Sequence, residues 1–178
     1  MVLLTAHRRE NWGAPMERIA KAVATLAERY PDHLFVFPAH SNPRVRETII
    51  PVISPLPNVV VCDALDYPEF VHAQQWAKLI LTDSGGVQEE APSLGKPVLV
   101  LRENTERPEA VTAGTVKLIG TDLDAIVENS VRLLDDPAAY AAMANAVNPY
   151  GDGDAAGRSV AAIAELLGVG ERLPDFGA

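Results

Sequence analysis

Short apolar runs and amphipathic stretches alternate along almost the whole chain. Val2–Thr5, Leu34–Phe37, Val59–Cys62, Leu79–Thr82, Val98–Leu101 and Val116–Ile119 are brief, rich in Val, Leu and Ile, and read as strands. Between the first two, Ile19, Val23, Leu26 and Ala27 recur at helical spacing and predict a helix over Met16–Tyr30. Shorter helices are predicted over Pro43–Ile50 with Asn42 as N-cap, over Pro68–Trp76, and over Val87–Leu94, which Gly95 should stop. Thr121 should cap a helix over Asp122–Leu134. Asp136-Pro137 ends that helix and opens another to about Ala146, and Asp154–Leu167 closes the pattern. Strand and helix in strict alternation, joined by short loops, predict an α/β doubly wound parallel sheet.

Such a sheet binds ligands outside the carboxyl ends of its strands, near the point where strand order reverses. The loops that leave the predicted strands are where polar residues gather. They read His7-Arg8-Arg9-Glu10-Asn11, Pro38-Ala39-His40-Ser41-Asn42, Asp63-Ala64-Leu65-Asp66-Tyr67, Asp83-Ser84-Gly85-Gly86 and Arg102-Glu103-Asn104-Thr105-Glu106-Arg107. Chemistry is therefore expected at one end of the sheet.

Composition narrows the ligand. With 15 basic and 24 acidic residues the net charge is −9, which disfavours a nucleic-acid partner, since that needs a basic face. The single cysteine, Cys62, excludes a disulfide framework and a Cys-rich metal site, and its place in an apolar run predicts a small buried hydrophobe. No signal peptide or membrane span is evident, and a cytoplasmic location is expected.

Ser84-Gly85-Gly86 follows a strand and opens a helix, an arrangement that lets backbone N–H groups approach an anion; a tight turn without a ligand has the same glycines. Glu89 and Glu90 lie a turn further on. A carboxylate there repels phosphate but accepts two hydrogen bonds from a ribose diol, so a nucleoside diphosphate satisfies both features. Arg8, Arg9, Arg102 and Arg107 are candidate cations for it, or partners of Glu10, Glu103, Glu106 and Glu109 in surface ion pairs. His7 and His40 follow strands at equivalent places, whereas His33 and His72 do not. Phe70 and Tyr67 are placed to stack on a base or to pack beneath a loop.

The segments Thr5–Asn11, Pro38–Pro43, Leu81–Pro97, Thr105–Val111 and Asn148–Gly153 together resemble the non-hydrolysing bacterial UDP-N-acetylglucosamine 2-epimerases. The resemblance runs from residue 2 to about residue 168. It implies a Rossmann-like domain, the C-terminal, UDP-binding half of a GT-B architecture. The abrupt first strand suggests the same: a chain that is the second half of a longer protein, with an N-terminal Rossmann half outside it. Residues 1–168 should form this domain, and 169–178 a tail that is poorly ordered or docked on a partner domain.

The implied activity is interconversion of UDP-N-acetylglucosamine and UDP-N-acetylmannosamine, by elimination of UDP to a 2-acetamidoglucal and re-addition. That route needs no cofactor, and no metal site is expected. By resemblance His7 lies by the diphosphate and sugar and assists catalysis, Ser84, Gly85 and Gly86 hold phosphates, Glu90 takes the ribose hydroxyls, Phe70 flanks the uracil, and Arg107 lies at the sugar–phosphate end. Arg8, Glu10 and His40 match part of a second, allosteric UDP-N-acetylglucosamine site found in some members. The family's acid and base carboxylates belong to the N-terminal half, so this chain alone is expected to be inactive. A homodimer of the full-length enzyme, no membrane or nucleic-acid partner, and a product that feeds surface polysaccharide are also implied. Asn104 and the segment Ala73-Gln74-Gln75-Trp76 depart from the family pattern, the latter by replacing a more apolar stretch; neither position is assigned a ligand contact, so neither weakens the functional reading. A hydrolysing epimerase and a non-catalytic UDP-sugar-binding module are the alternatives.

Overall fold

The computed structural model describes residues 1–176. Six parallel strands, β1 (Val2–Thr5), β2 (Phe35–Ala39), β3 (Val59–Asp63), β4 (Leu79–Thr82), β5 (Val98–Val100) and β6 (Val116–Leu118), form one sheet in the order β3-β2-β1-β4-β5-β6. This is an α/β, Rossmann-like, doubly wound sheet. The chain winds outward from β1 to β3, returns to the centre at β4, and winds outward the other way to β6. The reversal lies between β1 and β4, which pair from Val2↔Leu79 to Thr5↔Thr82. Their carboxyl ends leave a crevice, because the connecting chains depart to opposite sides.

Pleat alternation sends successive strand residues to opposite faces. Leu4, Phe35, Phe37, Leu79, Leu81 and Leu99 join Met16, Ile19, Val23 and Leu26 of α1 (Ala14–Arg29) and Ile49 of α2 (Pro43–Ile53) in one core, which α6 (Leu123–Asp135) completes. Leu3, Ile80, Val98, Val100 and Val116 face the other way, onto Val87 and Ala91 of α4 (Gly85–Ser93) and Ala110 of α5 (Pro108–Ala113). Both faces are covered near the centre, as a parallel sheet requires. α3 (Tyr67–Trp76) lies on the second side, and α7 (Pro137–Ala144) and α8 (Ala155–Leu166) follow α6.

Several expected boundaries move. α2 runs through Pro51 to Ile53 because the fully buried Ile53 anchors its last turn in the core, against the local tendency of proline to end a helix. Asn42 caps it as expected, accepting from the Arg44 N–H at 3.0 Å. The cap of α6 is Asp122 and not Thr121. Asp122 accepts from the Ala125 N–H, while Thr121 receives Arg18 through both its carbonyl and its hydroxyl. α5 escaped the sequence reading, since six residues are too few to show a helical period. Cys62 is only partly buried, because β3 is an edge strand.

Beyond α8 the chain turns back along that helix, where Arg158 Nε donates to the Pro174 carbonyl at 3.1 Å. The last two residues of the expected tail, 177 and 178, lie outside the described residues. Among the described residues no helix is long and apolar enough to cross a membrane.

Candidate functional site

The crevice is organised by a carboxylate. Asp83, the first residue after β4, is fully buried and accepts three sets of hydrogen bonds from the β1 loop: the His7 N–H at 3.0 and 3.1 Å, the Arg8 N–H at 2.9 Å, and Asn11 Nδ2 at 3.0 Å. Asn11 also donates to the Leu101 carbonyl at 3.0 Å, tying the loop to the end of β5. A buried carboxylate is tolerated only when its charge is met by donors. Here those donors are two backbone N–H groups and one side-chain amide of a distant motif. Neither Asp83 nor Asn11 was singled out in the sequence, although both lie inside the motifs quoted. For Asp83 the available signal was a charged residue directly after an apolar strand; Asn11 carried no such signal.

Next in the chain, Ser84 sits at the N-cap of α4 without capping it: its N–H donates to Thr82 Oγ1 at 2.9 Å, and its hydroxyl makes no cap bond. Gly85 begins the helix, and two guanidinium groups close over it. A Cβ at Gly85 would lie 3.3 Å from Arg8 Nη2 and 3.6 Å from Arg107 Cζ. Two like charges meeting above the positive end of a helix are unfavourable unless an anion joins them. Arg107 has Glu89 as a partner through Nε. Among the described residues Arg8 forms no ion pair, and its Nε is buried without an acceptor. The structure therefore brings Arg8, Arg107, Ser84, Gly85 and Gly86 together at one helix start, a cradle whose charge suits an anion.

One turn along α4, the two carboxylates part. Glu89 belongs to Arg107, whereas Glu90 turns toward α3. Its Oε2 accepts from Gln74 Nε2 at 3.0 Å, and its Oε1 lies 3.8 Å from where a Cβ on Gly86 would be. Gln74 is fully buried, so the departure at residues 73–76 does reach a predicted ligand residue. A helical pattern read alone does not say which neighbour a face meets. Phe70, partly buried one turn before Gln74, lines a cleft of about 210 Å³ with His7, His40, Pro38, Leu65 and Ser84.

Arg102 and Arg9 stand apart from the cradle. Arg102 is buried between Glu10 and Glu106, donating to Glu106 at 2.7 and 2.9 Å; this pairing holds the Glu106 carboxyl down at about 2. Arg9 lies over the Trp12 ring. Glu10, Arg8 and His40 border an adjoining hollow of about 460 Å³ with Trp12 and Asn42, which shares His7 and His40 with the cleft beside Phe70.

His7 stacks on His40, with ring centroids 5.4 Å apart, and its Nε2 lies 3.8 Å from Asp83 Oδ1. Burial pushes the His7 pKa below the usual histidine value. Asp83 opposes that shift, while His40 and Arg8 add to it. A depressed histidine destabilises the fold when it must be protonated: the unfolded chain then binds more protons than the native one. Stability should thus fall as pH drops below the unfolded histidine value of about 6.5, and His7→Gln should flatten that slope in urea titrations at graded pH.

Across the chain, a family model described as UDP-N-acetylglucosamine 2-epimerase matches residues 1–164. The chain is 53% identical over 163 residues to the UDP-N-acetylglucosamine 2-epimerase of Escherichia coli (strain K12), covering 92% of this chain and 43% of that protein. Among solved structures it is similar to the UDP-GlcNAc 2-epimerase from Neisseria meningitidis bound to UDP-GlcNAc, with a TM-score of 0.87, 48% identity, and coverage of 92% of this chain and 44% of that one. An S. aureus structure determined with UDP matches with a TM-score of 0.91 at 47% identity, over 99% of this chain and 48% of that one. The chain spans about half the length of the relatives it matches, and its sheet is the fold of one GT-B half. A match over 1–164 takes in the Asp83 hub, the arginine-lined start of α4 and the Gln74–Glu90 contact, and by it the chain belongs to the UDP-N-acetylglucosamine 2-epimerase family.

Proposed function

We propose that this chain is the UDP-binding half of an enzyme that interconverts UDP-N-acetylglucosamine and UDP-N-acetylmannosamine. One observation carries the reading: Arg8 and Arg107 converge over Gly85, and the Glu90 carboxylate faces the same helix start. Phosphates satisfy the first group and a ribose diol the second. A nucleoside diphosphate carries both groups, and the cleft beside Phe70 offers an apolar wall for its base.

In the reaction so proposed, a base removes the proton from C2 of the sugar while the bond from C1 to the phosphate oxygen breaks. UDP departs with the bond electrons and a C1=C2 double bond forms. Re-addition of UDP with protonation of C2 on the other face gives the epimer. Expulsion of UDP needs its growing negative charge met where it develops, which is the role of Arg8, Arg107 and the α4 N–H groups. His7, neutral in the free site and next to those groups, is the protein's proton carrier on this side. The C2 acid and base come from carboxylates of an N-terminal Rossmann half, in a cytoplasmic homodimer of the full-length enzyme. The hollow bordered by Arg8, Glu10 and His40 contributes to a regulatory UDP-N-acetylglucosamine site, and the product serves surface polysaccharide synthesis.

Calorimetry on Glu90→Gln tests the diol contact. UDP affinity should fall by about 1–3 kcal/mol, and inorganic pyrophosphate binding should not change. Equal weakening for both ligands would show that Glu90 supports the helix and not the ribose. Proton coupling tests His7. A diphosphate raises its pKa, so binding takes up a proton, and UDP affinity should decline as pH rises between about 5 and 8. A flat profile would remove His7 from the phosphate site.

A further inference from the structure

We infer that Gln74 is a positioning residue for the nucleotide: its buried amide holds Glu90 in the orientation that selects a ribose over a deoxyribose. The inference rests on the reading of Glu90 as the diol-binding carboxylate, and it deepens that reading.

Gln74 lies on α3 with no exposed surface, and Nε2 donates to Glu90 Oε2 at 3.0 Å. Its own Oε1 is buried and has no partner among the described residues. The two ends of the amide are not interchangeable here. An amide oxygen turned to Glu90 would meet a carboxylate oxygen, so the NH2 end must face it and the carbonyl end is left without a donor. A buried amide that is half satisfied costs the fold more than an apolar side chain of the same shape. Core packing therefore does not account for glutamine at this position, and the bond to Glu90 does.

What that bond fixes is direction. Glu90 is partly exposed on α4, and a free glutamate there would sample several rotamers. Anchored at Oε2, it keeps Oε1 directed at the start of α4, beside Gly86 and the anion cradle. Phe70 lies one helical turn before Gln74 on α3, so one helix face presents both the ring beside the cleft and the holder of the carboxylate. Because the carboxylate is already placed, a 2′-hydroxyl gains its hydrogen bond without first ordering the acceptor.

The test measures dissociation constants of UDP, 2′-deoxy-UDP and pyrophosphate for the chain, for Gln74→Met and for Glu90→Gln, with a thermal melt of each. Methionine has nearly the volume of glutamine and no unpaired polar atom. Gln74→Met should melt no lower than the parent and bind pyrophosphate within about twofold of it, yet lose about fivefold of its preference for UDP over 2′-deoxy-UDP, the size of one net hydrogen bond. Glu90→Gln should abolish that preference. If Glu90→Gln abolishes it and Gln74→Met leaves it intact, Gln74 does not position Glu90 and the diol reading stands alone. If Gln74→Met melts lower and weakens all three ligands alike, its role is structural and the inference fails. If Glu90→Gln weakens all three ligands alike, the diol reading fails and takes the inference with it.

Discussion

Asp83→Ala should destabilise the chain by about 3–5 kcal/mol, the largest loss expected from one substitution outside the apolar core. Its side chain is fully buried and receives the backbone N–H groups of His7 and Arg8 and the amide of Asn11. Removing it takes the acceptor from three donors around a fully buried position, and each donor left unpaired costs about 1–3 kcal/mol before relaxation. The loss should appear as a lower urea midpoint with an unchanged slope, since the surface exposed on unfolding is the same. UDP binding should fall with it, because the same loop carries His7 and Arg8 into the crevice. Asp83→Asn, which keeps an acceptor of the same shape, should lose less stability. If Asp83→Ala unfolds at the parental midpoint, the β1 loop is held by other contacts and Asp83 is not its anchor.

Neutralising both arginines of the cradle should cost about 3–4 kcal/mol of UDP affinity, or roughly two to three orders of magnitude in Kd. Arg8→Gln with Arg107→Gln removes two charge-assisted donors from the seat above Gly85, whose N–H and helix-end contributions survive. Pyrophosphate should lose as much as UDP, the opposite of the Glu90→Gln pattern, because both ligands carry the phosphates and only one carries the diol. Affinity should also become less sensitive to salt. The free protein should not be weakened by Arg8→Gln alone, since it relieves repulsion between two guanidinium groups. Retention of UDP affinity within about twofold in the double variant would move the phosphates away from α4.

The sequence by itself determined the strands, most of the helices and the end of the sheet where the polar loops gather. Every expected strand exists within a residue or two at each end, and the His7, His40, Asp83 and Arg102 loops all leave strand carboxyl ends. Local rules suffice for this, because burial on both faces writes itself as an unbroken apolar run, and a turn needs its own residues. Asn42 could be assigned as a cap from its place before Pro43 for the same reason. Tertiary structure decided the rest. Strand order put β1 beside β4, so that a loop at residue 7 and a carboxylate at residue 83 became hydrogen-bond partners, and no periodicity within either segment encodes that choice. The arginines show the same limit. Arg102 and Arg107 read alike as cations after β5, yet packing buried Arg102 between Glu10 and Glu106 and swung Arg107 over Gly85. Gln74 looked like a polar lapse in an apolar helix until α3 met α4 and its amide found Glu90. A pattern of apolar residues reports that a face is buried. Which side chains meet across it is set by the packing of distant elements, and the candidate site is made at those meetings.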